Sequence, residues 1–257
     1  MKRVLVDHLP KIGERVLLSE EEARHTVQVF RMRSLDPVEA LDGNGLRAAC
    51  QIVIEGKKTW IELRTGEKPQ PGHPLEVMPI TLEIAVIKGD AMDWVIEKSV
   101  ELGASEFVPL LTAYTVVQTG RKTPAEFQER WQRIADQSLK QCGRTQKLII
   151  HPPGPLTKRL QNHPSLPDNH SRWIANESLR QTAQPLLNVA QELRPLNANF
   201  LIGPEGGFSE AEHRLLESSG KTVSLGPLIL RAETAAIYGL SVMSAVYQSS
   251  AQINARH

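Results

Sequence analysis

Two cysteines, Cys50 and Cys142, in a chain of 257 residues cannot form a disulfide framework, and two thiols cannot build an all-cysteine zinc site. The eight histidines show no metal-ligand spacing, so no metal is expected. Long hydrophobic runs are missing too: Val4-Leu5-Val6 stops at Asp7, and no stretch approaches the length of a membrane span. No charge of one sign dominates, with 30 Lys and Arg against 29 Asp and Glu, so any contact with nucleic acid must rest on local basic clusters. Phosphate-binding signatures are also lacking. No G-x-G-x-x-G follows the first strand of the second region, and Gly220-Lys221-Thr222 only mimics the end of a P-loop: Leu215 stands where the first glycine is needed, and the order is helix to strand. These absences leave free thiols, a cytoplasmic setting and no membrane partner as the expectation. The composition, 40% apolar and 23% charged, is ordinary for a globular chain of two domains or one large one.

Two regions differ in pattern. Up to about residue 68, short β-branched runs alternate with turns such as Asp42-Gly43-Asn44-Gly45 and Glu55-Gly56-Lys57-Lys58, which fit hairpins of a small β-barrel. One helix is expected between them, starting near Ser19 with Glu22 three residues on and ending around Arg31-Met32-Arg33. Pro69, Pro71, Gly72, Pro74 and Pro79 then mark a linker that regular structure should not cross. Residues 1–72 and 73–257 are the expected domains, with Cys50 in one and Cys142 in the other. In the second region strands and helices alternate, which implies an α/β fold with a mostly parallel sheet. Strands are expected at 82–87, 107–111, 147–150, 173–175, 200–202 and 222–225. One helix buries Met92, Val95, Ile96, Ser99 and Val100; another starts at Thr123-Pro124 and Glu126, buries Phe127, Trp131, Ile134, Ala135, Ser138 and Cys142, and stops at Gly143. A last helix, from about 234 to 247, is apolar or small nearly all round and therefore buried on more than one side.

In parallel α/β sheets ligands sit beyond the carboxyl ends of strands. Three segments occupy such ends: Asn176-Glu177-Ser178, the loop Gly203-Pro204-Glu205-Gly206-Gly207, and residues 226–234, Gly-Pro-Leu-Ile-Leu-Arg-Ala-Glu-Thr. The glycine loop frees backbone amides and admits another molecule close to the main chain, and Ser209 with Glu212 forms a capping box that opens a helix directly after it. The third segment mixes apolar residues suited to a purine with Arg231 and Glu233. Each segment alone reads equally as a connection; together they read as a site.

The motifs Lys88-Gly89-Asp90 to Leu102-Gly103, Gln141-Cys142-Gly143-Arg144, Leu201 to Ser209 and Leu225 to Ala236 resemble the bacterial 16S rRNA (uracil-N3)-methyltransferases of the SPOUT superfamily. The Gly-Pro-Glu-Gly-Gly and Leu-Gly-x-x-x-Leu-Arg-x-Glu-Thr-Ala pair is specific, and the resemblance covers nearly the whole chain. It implies a PUA-like RNA-binding β-barrel followed by a SPOUT-type knotted, mostly parallel sheet with a C-terminal trefoil knot. It also implies a homodimer, S-adenosyl-L-methionine held in the knot, and 16S rRNA or the small ribosomal subunit as substrate. The expected cofactor-binding residues are Asn176, Ile202, Gly203, Pro204, Glu205, Gly206, Gly207, Leu225, Gly226, Leu228, Ile229 and Leu230.

Uracil N3 carries a proton in the neutral base, so methyl transfer needs a proton acceptor or a group that stabilises the anion. Arg231 is the first candidate for holding negative charge. Glu205 and Glu233 are candidate bases, or equally a helix-start cap and a partner of Arg231. RNA contacts are expected at Arg24, Arg31 and Arg33, at Arg121 and Lys122, and at Arg144, each of which alone reads as solvated surface. Two rivals stand beside this reading: an α/β enzyme with another nucleotide cofactor, which the missing phosphate loops oppose, and a noncatalytic RNA-binding protein, which the intact glycine loop and Arg231 oppose.

Overall fold

A computed structural model describes residues 1–115, 123–162, 170–176, 182–193 and 197–254. Two compact units emerge: Met1–Glu76 with Asp136–Lys147, and Val77–Ala135 with Leu148–His257.

The first unit carries β1 (Arg3–Leu5), β2 (Arg15–Leu17), β3 (Pro37–Leu41), β4 (Leu46–Glu55), β5 (Lys58–Leu63) and β6 (Gln70–Pro71) in the order β1-β3-β4-β5-β2, with β6 paired to β4. β1 and β3 run parallel, whereas β3-β4 and β4-β5 are antiparallel hairpins turning at the two glycine-containing turns. Alternate residues, among them Val4, Val38, Ile52 and Ile61, form one core. The expected helix is shorter and less regular. After α1 (Glu20–Arg24), whose Glu22 N–H donates to Ser19 Oγ at 3.2 Å, the turn widens over His25–Val29, and Arg31 at φ 54° ends it in a left-handed conformation.

Segment Asp136–Lys147 joins this unit rather than the residues before and after it in sequence. Arg3 donates to the carbonyls of Lys140 and Gln141 at 3.0 Å, Lys140 pairs with Glu22, and Thr145 N–H donates to Glu76 at 3.0 Å. Cys142 therefore shares a unit with Cys50 instead of lying in another domain; both are free, Cys142 exposed and Cys50 buried with its thiol pushed up to about 12 by desolvation. The proline stretch is also more regular than expected. Pro71 lies in the two-residue β6, and Pro79 enters a strand at a register irregularity between Met78 and Thr81, where no ladder N–H is required.

The second unit contains a sheet whose strands are all parallel. Its members are β7 (Met78–Ala85), β8 (Ala104–Leu111), β9 (Ile149–Ile150), β10 (Gly154–Pro155), β11 (His170–Ala175), β12 (Gln184–Pro185), β13 (Asn197–Ile202) and β14 (Lys221–Ser224), in the order β10-β8-β7-β13-β11-β14-β12 with β9 beside β8. The helices are α2 (Gly89–Glu101), α4 (Leu156–Asn162), α5 (Leu186–Leu193), α6 (Glu210–Ser219) and α7 (Ala232–Asn254), with the part of α3 (Pro124–Cys142) up to Ala135, whose remaining residues belong to the first unit. Strand alternation divides them. Leu201 clusters with Leu156 and Leu160 of α4 and Leu216 of α6, while its neighbour Phe200 meets α7, where a Cβ on Gly239 would sit 2.1 Å from its ring. Both α2 and α5 pack against α7. The apolar stripe of α2 is buried as expected, but in α3 Trp131, Ala135 and Ser138 are buried together with Leu139, while Phe127 and Ile134 are only half-buried and Cys142 is exposed. Among the described residues no helix is long and apolar enough to cross a membrane, and no cluster of His, Cys, Asp or Glu could hold a metal ion.

Two charged side chains of opposite sign, Glu83 and Arg172, are fully buried in this sheet. Glu83 of β7 is 0% exposed and accepts from Arg159 Nε at 2.9 Å, Arg172 Nε at 3.1 Å and Asn199 Nδ2 at 2.7 Å. His170 Nε2 lies 2.6 Å from the Asn199 carboxamide oxygen.

Candidate active site

Three neighbouring strands end level with one another. Ala175 closes β11 opposite Ile202 of β13 on one side and Val223 of β14 on the other. The chain leaves all three ends as loops, and between these loops lies a cavity of about 230 Å³. Its wall contains Asn176, Ile202, Gly203, Pro204, Glu205, Gly207, Leu225, Gly226, Leu228, Ile229, Leu230 and Arg231. The three segments singled out in the sequence thus meet at one sheet edge. Phe208, within the Leu201–Ser209 motif, completes the wall with Val223, Ala175, Ala232 and Ala235; these last four lie at strand ends and in a first helical turn, which carry no composition signal that would mark them in advance.

The glycine loop is held from behind. Ser209 caps α6 reciprocally with Glu212, as the S-x-x-E spacing predicts. Phe208 is buried and meets His213 edge-on with ring centroids 5.8 Å apart, and His213 Nδ1 lies 3.4 Å from Asn176 Nδ2. A Cβ on Gly203 would stand 2.7 Å from the Phe208 ring. Gly203→Ala is therefore expected to displace that ring, lower stability by about 1–3 kcal/mol through overpacking and weaken cofactor binding, as read by chemical denaturation and titration calorimetry; unchanged affinity would argue against this loop as the cofactor wall.

Electrostatically the cavity is simple. The first turn of α7 reaches the wall through Ala232 and Ala235 and so presents a positive helix end. Arg231 is exposed and, among the described residues, makes no ion pair with Glu205 or Glu233. Glu205 lies on the wall, whereas Glu233 and Gly206 do not.

A family model for the RNA methyltransferase domain matches residues 73–244. The chain belongs to this family. It is 34% identical over 239 residues to ribosomal RNA small subunit methyltransferase E of Bacillus subtilis, covering 88% of each. Its fold matches the methyltransferase of that name from Neisseria gonorrhoeae, solved with S-adenosyl methionine, at a TM-score of 0.81 and 26% identity over 96% of this chain and 98% of that one. A Legionella pneumophila structure with bound S-adenosylmethionine superposes at a TM-score of 0.83 and 27% identity over 95% and 96%.

The cavity of this RNA methyltransferase suits such a cofactor. Apolar side chains offer a bed for adenine, loop backbone offers donors and acceptors, and Gly226 leaves open space where a Cβ would stand.

The basic residues separate by environment. Arg24, Arg31 and Arg33 are exposed. Arg144 is 3% exposed and donates to the carbonyls of Gln146 and Lys147, and burial pulls its guanidinium down to about 10. The expectation of an RNA contact there is corrected: this arginine braces its own segment of the methyltransferase. Arg121 and Lys122 lie outside the described residues, as do Glu177 and Ser178.

Proposed function

We infer that this chain transfers a methyl group from S-adenosylmethionine to N3 of uracil 1498 in 16S ribosomal RNA. The observation that carries this reading is an apolar, loop-built cavity with one exposed guanidinium at its wall, Arg231. When bound, the cofactor supplies an electrophilic methyl group on a cationic sulfur. Arg231 and the positive end of α7 hold the negative charge that develops on the uracil oxygens as N3 loses its proton. Glu205, on the wall, accepts that proton. Glu233 serves the first turn of α7, where a carboxylate complements the helix end.

The first unit is read as a PUA-like barrel that grips RNA through Arg24, Arg31 and Arg33, and the second as a methyltransferase domain with a trefoil knot around the cofactor. A homodimer is supported by α7, which carries Tyr238 at 45% exposure, and by Trp94 at 44% exposure on the adjacent α2. The setting is the cytoplasm.

Labelled cofactor incubated with undermodified small subunits, and separately with free 16S rRNA, is expected to mark one uridine at N3 in at least one of them. No transfer to either, or transfer to another atom, would overturn the reading. Sedimentation is expected to give twice the 28.6 kDa chain mass; a monomer at every concentration would remove the dimer.

A further inference from the structure

Tyr114 has no part in the chemistry above, yet it is 50% exposed beside the ligand loop. It sits in the turn after β8, where Thr112 N–H donates to Thr115 Oγ1 at 2.9 Å and the two hydroxyl oxygens are also 2.9 Å apart. A single carboxylate ties this turn to the glycine loop. Glu212 is 5% exposed. Its Oε1 accepts from Ala113 N–H at 2.9 Å, while its Oε2 accepts from Ser209 N–H at 2.9 Å and Ser209 Oγ at 3.0 Å. The residue before Tyr114 is thus fastened to the end of the loop that walls the cavity.

Gly206 completes the arrangement. The sequence places it with the cofactor contacts, but it lies off the cavity wall and is exposed, and a Cβ there would come 3.2 Å from Tyr114 Cβ. Its neighbours Glu205 and Gly207 are both on the wall. The loop therefore offers bare backbone next to an amphipathic ring whose turn is held from two sides. A ring meant for the core would be covered, and a casual surface tyrosine would not need a buried carboxylate to fix its turn. An exposed, positioned aromatic ring packed against a glycine is what stacks a nucleobase: the face is apolar, little rotamer entropy is lost, and any base presents a matching π-surface.

We propose that Tyr114 is the stacking platform for a base of the substrate RNA, with Gly206 as the small residue that lets the tyrosine pack close against the loop. The proposal rests on the methyltransferase reading. It makes Tyr114 a substrate-positioning residue and Glu212 the group that fixes it.

The test compares wild type with Tyr114→Phe, Tyr114→Leu and Tyr114→Ala in methyl transfer to undermodified small subunits, with S-adenosylmethionine affinity measured alongside. Alanine is expected to raise KM for the RNA about ten-fold and leucine nearly as much, with phenylalanine within about two-fold of wild type. Cofactor affinity is expected to stay constant throughout. An alanine variant with unchanged KM would overturn the platform. A phenylalanine variant as impaired as alanine would replace stacking by a hydroxyl contact, and a parallel loss of cofactor affinity would make the ring a brace for the loop; either outcome also overturns it. If wild type transfers no methyl to any RNA, the reading beneath fails, and the platform is judged by fluorescence anisotropy with a short labelled single-stranded RNA. Weaker binding by the alanine variant would then sustain the platform, and equal binding would end it.

Discussion

Arg231→Ala is expected to cut single-turnover methyl transfer by about a hundred-fold or more, the scale seen when a preorganised charge-stabilising donor is lost, while S-adenosylmethionine affinity stays close to wild type. The arginine is exposed on the cavity wall and precedes the positive end of α7. On the reading proposed above, charge that appears only as uracil N3 gives up its proton is met there by the guanidinium, so the expected loss falls on the transition state and not on the bound cofactor. Arg231→Lys is expected to recover part of the rate, because it restores the charge without the planar fork of donors. Single-turnover transfer and titration calorimetry on the same three proteins decide the matter. A large fall in cofactor affinity would move Arg231 into the cofactor's own contacts, and undiminished transfer would leave it a surface charge.

Glu83→Ala is expected to cost about 3–5 kcal/mol, because removing one member of a buried ionic group strands the others. Arg172 has a side chain 0% exposed and Arg159 one 20% exposed, and both point their Nε atoms at this carboxylate. Water cannot readily replace it at a position with no accessible surface. Urea denaturation measures the loss. The companion expectation is sharper: Glu83→Leu combined with Arg172→Met should be less damaging than the sum of the two single changes, since the pair removes opposite charges together. Additive losses would mean that Glu83 and Arg172 contribute independently.

These two residues also mark the limit of what can be read along the chain. Arg231 is legible because it stands in a compact motif immediately before a helix, and the parallel sheet follows from strand-helix alternation, which brings loop ends to one edge. Ser209 and Glu212 lie three residues apart and cap locally, so their geometry follows from spacing. Glu83 offers no comparable signal. Its partners come from α4, β11 and β13, and only strand order brings them together. Gly206 illustrates the same boundary on a smaller scale: its type reveals that something packs close to the backbone, but that the neighbour is Tyr114, contributed by a different strand end, follows only from the fold. Pro79 entered a strand against expectation because a register irregularity relieved the need for its missing N–H. Arg144 was misread for a related reason, since carbonyls two and three residues ahead turn inward and take up its donors.

The position of β13 between β7 and β11 sets the order in which the protein can be born. β7 emerges from the ribosome early, yet its neighbour on one side comes from residues near 200, including Asn199 opposite Thr81. Until then its hydrogen-bonding edge faces no native partner, whereas the hairpins β3-β4 and β4-β5 close from adjacent sequence. Pairings across such separations form slowly and late. The cavity wall, which begins at Ala175 and Asn176 but is mostly built from residues after β13, is consequently among the last surfaces to be completed, so on the proposed reading a nascent chain acquires its methyl donor only once the central sheet is complete.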